Sequence, residues 1–309
     1  MLLESTALPR LLIASLALFL AGCAAYPRDM QRDTRHPLAG RLWDVAAQTF
    51  IDENELHRRA GQAEALLLGE THDNPEHHRL QLEVLQARTN SGAKPALLME
   101  QFNIDQQGLI DTALRDDSSL APLMPGWDWK YYAPLIALAK STHISLRAAN
   151  LPRSSIRPIV RTGFSTLVAG ETRRLALETV WNDSRQQYMT RLIEESHCGQ
   201  ITPQLRDGLV RAQRARDATL ADSALSKMNE GVVFILGRGH ARRDVGVPLY
   251  LEARRPGTRV LSIGFVEVSD KDSLPMQYEN ESIGGIAPYD IIWFTSRTER
   301  TDPCANFGK

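Results

Sequence analysis

Ala65-Leu66-Leu67-Leu68-Gly69-Glu70-Thr71-His72-Asp73-Asn74-Pro75 is the stretch that decides the fold. Four apolar residues in a row, closed by Gly, read as a strand buried on both faces. Asn74-Pro75 reads as a helix start, with Asn as the cap and Pro in the first helical position. Residues 75–88 follow with Leu80, Leu82, Val84 and Leu85 spaced among polar residues. The unit is therefore strand, polar loop, helix, and it recurs. Ala96 to Met99 runs into Glu100, and Ile144 to Ala149 runs into Asn150-Leu151-Pro152-Arg153. Val232 to Leu236 runs into Gly237-Arg238-Gly239-His240, and Val260 to Val268 and Ile291 to Phe294 read as two more strands. Between the third and fourth runs, residues 171–196 and 203–229 read as helical, the latter with Leu205, Leu209, Ala212, Ala215, Leu220 and Leu225 along a stripe. The expected fold class is α/β: a mainly parallel central sheet flanked by helices, with a helical insertion between the third and fourth core strands.

The chain has 309 residues, 43% hydrophobic and 24% charged, which excludes a disordered polymer and fits one large domain. A formal charge of −1 gives no sign of a nucleic-acid partner. Arg outnumbers Lys 30 to 6, which suits carboxylate binding, although codon bias explains it equally well.

Three cysteines are too few for a disulfide scaffold. Residues 11–20, LLIASLALFL, have the length of a signal-peptide core and follow Arg10. They end in Leu20-Ala21-Gly22-Cys23, which resembles the bacterial lipobox. The expected organisation is a lipoprotein signal peptide over 1–22, a lipidated N-terminus and linker over 23–40, and an α/β domain over 41–300. Cys23 would carry diacylglycerol and further acyl chains such as palmitate, because a single chain anchors only marginally. Export leads to an oxidising compartment, where Cys198 and Cys304 become a candidate pair that the sequence alone leaves open.

In parallel sheets, ligands bind beyond the carboxyl ends of the strands. Glu70, His72, Glu100, Asn150 and His240 all fall at such ends, and they converge if the four strands are parallel. Loop residues are polar in any protein, so a plain polar rim is the competing reading. Two Gly-x-x-His segments after two strands favour a shared site. Imidazole and carboxylate together bind Zn²⁺, Mn²⁺ or Fe, or act as acid–base pairs. His77 and His78 are neighbours in the first helical turn, and at least one is expected on the solvated surface. There is no His-Glu-x-x-His, Gly-x-Ser-x-Gly, P-loop or Gly-x-Gly-x-x-Gly motif, which disfavours the ordinary zincin, serine hydrolase, NTPase and dinucleotide classes.

Trp127-Asp128-Trp129-Lys130-Tyr131-Tyr132-Ala133-Pro134 is dense in aromatics for a chain only 6% aromatic. It reads either as core packing at the start of a helix or as a flat wall for a planar ligand. Tyrosine is a known axial ligand of ferric haem.

Several separated segments together resemble the ChaN-like haem-binding lipoproteins of bacterial haem and iron uptake. They are Gly69 to Pro75, Asn150 to Arg153, His197-Cys198-Gly199, Gln213 with Arg216-Asp217-Ala218, Gly237 to Arg242, Gly246-Val247-Pro248, and Ala287 to Asp290 before Trp293-Phe294-Thr295. The resemblance spans roughly residues 40–295 and includes the lipobox. It implies haem held through a tyrosine, with two haems stacked face to face in a homodimer. Tyr132 fits best as ligand, Tyr131 is adjacent, Tyr289 is a third candidate, and His197 joins the cofactor-binding set. It also implies an outer-membrane lipoprotein in the cell envelope, working with a haem receptor or transporter, and a binding protein more than an enzyme. The same Gly-x-x-His pairs resemble a wider superfamily containing TraB/TIKI proteins and erythromycin esterase-like enzymes. By that analogy Glu70, His72, Glu100 and His240 form the alternative: a catalytic or metal site for Mn, Zn or Co in a hydrolase.

Overall fold

The computed structural model describes residues 36–279, 282–302 and 304–305. The expected signal peptide, lipobox-like segment and Cys23 lie outside them. Eight strands form one sheet: β1 (Leu42–Asp44), β2 (Thr49–Ile51), β3 (Ala65–Glu70), β4 (Ala96–Asn103), β5 (Leu146–Asn150), β6 (Val232–Gly237), β7 (Val260–Glu267) and β8 (Ile291–Thr295). Their order is β2-β1-β8-β7-β3-β6-β4-β5. The six strands from β8 to β5 are parallel, and β1 and β2 extend the sheet antiparallel to β8 and to each other. The expected strands are thus all present, and β1 and β2 are additions. At three residues each, they are too short to show a period.

The helices are α1 (Glu53–Gln62), α2 (Pro75–Asn90), α3 (Gln107–Arg115), α4 (Trp129–Thr142), α5 (Arg153–Thr162), α6 (Glu171–Arg174), α7 (Asp183–Ser196), α8 (Pro203–Leu225), α9 (Arg238–Ala241) and α10 (Val247–Arg254). The segment expected as one helix over 171–196 is two, α6 and α7. The chain breaks between them, with Ala176 in the left-handed region at φ 56°. Asn74 caps α2, its side chain accepting from the Glu76 and His77 amides, with Pro75 in the first turn.

Alternation along β3 assigns the faces. Leu66 and Leu68 pack with Leu56 of α1, Val84 of α2 and Leu135 of α4. Ala65 and Leu67 pack with Leu220 and Ala221 of α8 and Leu251 of α10. Both faces are covered, so β3 is apolar throughout until it ends in Glu70.

At the amino end, Leu38 is buried and the Gly40 amide donates to the Phe294 carbonyl, so folded structure is already present before residue 41. Cys198, just past α7, is bonded to Cys304, with Cα atoms 5.7 Å apart across 106 positions. Closing a loop of that length constrains the unfolded chain by about 4–5 kcal/mol in the chain-entropy model.

Candidate functional site

The strand order puts β6 between β3 and β4, so the three strand ends carrying Glu70, Gly237 and Glu100 are neighbours. Glu70 stands opposite Gly237 in the register. Its side chain continues the Leu66–Leu68 face toward α2 and α4. Glu100 has the parity of Leu98 and turns to the α8 face. The two carboxylates come over the crest from opposite sides, and His72 lies between them.

Glu70 is buried. Its Oε1 accepts from the Tyr132 hydroxyl at 2.7 Å and from His72 Nδ1–H at 2.9 Å. Its Oε2 lies 3.1 Å from Nδ1 of His78, whose Nε2–H donates to the His72 carbonyl at 2.9 Å. Both His78 nitrogens therefore face acceptors. Burial opposes its charge, but the Glu70 carboxylate outweighs burial and leaves the imidazole's pKa raised. Burial would likewise raise the Glu70 pKa, yet the two imidazoles hold it below the usual carboxylate range.

The other half of the cluster is built on α8. Asp217 Oδ1 accepts from His240 Nδ1–H at 2.6 Å, and His240 Nε2 lies 3.3 Å from Glu100 Oε2. Burial pushes the Asp217 carboxyl up to about 6. Burial also opposes the His240 charge, but Asp217 and Glu100 together raise its pKa. Glu100 Oε1 accepts from the Gly237 amide at 2.8 Å, and His72 Nε2 stands 3.7 Å from the same oxygen, outside hydrogen-bond reach. Carboxylate and imidazole thus alternate from Asp217 through His240, Glu100 and His72 to Glu70. A Cβ on Gly237 would sit 2.8 Å from His72 Cε1, so the ring's position requires glycine there.

Among the described residues, Glu70, His72 and Glu100 form the one group of three whose donor atoms all lie within 4.8 Å of one another. Two carboxylates and a half-exposed imidazole with a free Nε2 fit a divalent cation such as Zn²⁺ or Mn²⁺. Four of the five expected convergent residues, Glu70, His72, Glu100 and His240, carry this chemistry. Asn150 instead braces it, donating to the Glu100 carbonyl at 2.8 Å and accepting from the Leu151 amide.

The structure corrects the reading of the paired histidines, because both are fully buried. His77 Nδ1 accepts from the Thr71 amide at 2.8 Å, and its Nε2 lies 2.7 Å from the Thr295 hydroxyl. Burial drives its pKa down to about 3, so it is neutral beside its charged neighbour.

The tyrosines also sort differently from the expectation. Tyr132 is 1% exposed and committed to Glu70. Burial and the Glu70 charge push its phenol far above the usual range. Tyr289 is a core residue; its hydroxyl donates to the Arg238 carbonyl at 3.0 Å, and its ring covers Gly264. Tyr131 is half-buried, stacked on His78 at 4.5 Å with 7° between planes, and Lys130 Nζ lies 4.7 Å above its ring. Trp127 and Trp129 are half-buried as well, and Trp127 meets His72 edge-on at 4.8 Å. All three rings pack against the core cluster on this side of the sheet, and Tyr131 is the less buried of the two α4 tyrosines. His197 ends α7 beside the disulfide, with Nδ1–H donating to the Ile193 carbonyl at 2.8 Å. Its described hydrogen bonds are local to that helix end.

Two participants were not assigned a role from the sequence. Asp217 and Gln213 are four apart on α8 and so share a face, and the Gln213 amide nitrogen lies 3.0 Å from His240 Nδ1. That i, i+4 polar pair inside an otherwise apolar stripe was the available signal.

Residues 56–251 match the family described as haem-binding uptake, Tiki superfamily, ChaN. The chain belongs to this family. No curated protein matches its sequence. The ChaN fold is borne out by a solved structure of cofacial haem binding to ChaN of Campylobacter jejuni. That structure is 18% identical with a TM-score of 0.64, over 82% of this chain and 95% of that one. The RRSP effector domain of a Vibrio vulnificus MARTX toxin is also similar, at 18% identity over 75% of this chain and 38% of that one. Its TM-score is 0.42.

Proposed function

We propose that this ChaN-family chain is a lipid-anchored haem-binding protein of the bacterial cell envelope that takes part in haem and iron uptake. The observation that carries the reading is the family match over residues 56–251. Anchoring would use Cys23 in the outer membrane. The Cys198–Cys304 bond supports an oxidising compartment. Tyr131 would hold the haem, with Trp127 and Trp129 against its faces, and bound haem supplies ferric iron for the phenolate. A second copy presenting the same aromatic strip is the partner expected from the family, and a haem receptor or transporter is the expected recipient. Haemin titrated into the purified protein should give a phenolate-type ferric spectrum, and an unchanged free-haemin spectrum rejects the proposal.

A second reading rests on a different observation, the donor atoms of Glu70, His72 and Glu100 within 4.8 Å. In it the chain is a metal-dependent hydrolase. A divalent ion held by those three residues would polarise a scissile carbonyl. The His240 imidazole, held by Asp217, takes the proton from an attacking water and returns it to the leaving group. Metal content should fall in His72→Ala, whereas hydrolysis should fall in both His72→Ala and His240→Ala. No bound metal and no hydrolysis with added Mn²⁺, Zn²⁺ or Co²⁺ would sink it.

A further inference from the structure

A cavity of about 300 Å³ opens beside the crest, and part of its lining takes no part in the acid–base cluster. Gln101 is the first such group. It is 4% exposed; its Nε2 faces the Tyr132 hydroxyl, and its Oε1 makes no hydrogen bond. A buried amide oxygen left unmade is costly, and a ligand N–H would satisfy it. Arg216 is the second. It precedes Asp217 on α8, lines the cavity, has its Nε buried without a partner, and among the described residues makes no ion pair. Arg153 is the third. Among the described residues its one hydrogen bond goes to the Pro125 carbonyl at 2.9 Å. It opens α5, whose cap position is Pro152 with no side-chain acceptor, so the positive end of a ten-residue helix adds to the guanidinium. Against these stands one lining carboxylate, Glu100, already engaged by the Gly237 amide and facing His240. Trp127 closes the cavity with an apolar wall.

We infer that the cavity binds a small molecule carrying an oxyanion next to an amide. The oxyanion would lie on Arg153 and Arg216, the neighbouring amide N–H on Gln101, and the bond to be cleaved toward His72 and His240. Guanidinium suits carboxylate and phosphate alike, because its planar fork donates to two oxygens at once. The inference deepens the hydrolytic reading by naming its substrate class, and it rests on that reading for the cleavage alone.

Calorimetric titration of the purified protein tests it, with N-acetylglycine, inorganic phosphate and the neutral N-acetylglycine methylamide as probes. At least one anion should bind tenfold or more tightly than the neutral amide, and the better anion identifies the oxyanion source. Arg153→Gln and Arg216→Gln should each weaken that anion about tenfold or more, and Arg216→Lys should keep part of the affinity. Arg153 is exposed, so its variant reports even if Arg216→Gln fails to fold. Equal binding of the neutral amide, anion binding indifferent to Arg153, or no saturable binding up to about 10 mM overturns the inference. Binding is read without turnover, so the two ideas separate. Anion binding with no hydrolysis keeps this inference and removes the hydrolytic one; hydrolysis of neutral amides with no anion preference does the reverse.

Discussion

The crest and the aromatic strip sit side by side and are built by opposite means. At the crest, charged side chains are withdrawn from water and survive because each has a partner: Glu70 with His78, His72 and Tyr132, and Asp217 with His240. On the strip, Trp127, Trp129 and Tyr131 are apolar surface left half-exposed at the start of α4. Buried charge is retained at the expense of stability unless it is paired. Aromatic rings left partly in water cost little. Two kinds of chemistry thus share one strand-end region, the first needing a rigid frame and the second an open face. His78 joins them, bonded toward Glu70 on one side and stacked on Tyr131 on the other.

Removing one member of the crest should therefore be expensive. His78→Ala takes from the buried Glu70 carboxylate the buried one of its two imidazole partners, and chemical denaturation should show a loss of about 3–5 kcal/mol. A change below 1 kcal/mol would mean that the crest is not a charge-paired network. Comparable in size is a pH effect. His77 is buried neutral with its pKa down at about 3, so its contribution is present above about 6.5, the unfolded value, and is lost as pH falls. Wild-type stability relative to His77→Gln should fall by about 1.4 kcal/mol per pH unit between about pH 6.5 and 3. A pH-independent difference would contradict the neutral assignment. Tyr132→Phe removes one donor from a buried carboxylate and should cost about 1.5–3 kcal/mol in thermal unfolding. Tyr131→Phe, by contrast, should change stability by less than about 0.5 kcal/mol. If the two tyrosine variants lost equal stability, the distinction between crest and strip would fail.

The sheet was legible because β3, β4, β6 and β7 carry apolar runs long enough to signal burial on both faces, and Asn74-Pro75 marks a helix start by local chemistry alone. The order β3-β6-β4 was not legible, since no residue in those runs states its neighbour. Glu70, His72, Glu100 and His240 could be found as strand-end residues. Asp217 left only the trace of a polar residue four after Gln213 in an apolar stripe, because it reaches His240 from the middle of a helix 23 positions away. Helical phase decided the rest. Adjacent Tyr131 and Tyr132 differ only in which side of α4 they occupy. His77 and His78 are both enclosed, because one bonds to Thr295 at the end of β8 and the other faces Glu70 at the end of β3.

The most direct test compares haemin titrations of wild type, Glu100→Gln, Tyr132→Phe and Tyr131→Phe, followed by absorbance. Wild type, Glu100→Gln and Tyr132→Phe should share one phenolate-type ferric spectrum, and Tyr131→Phe should lose it. A spectrum that survives Tyr131→Phe and disappears in Glu100→Gln or Tyr132→Phe would place the haem on the crest and contradict the separation of the two sites.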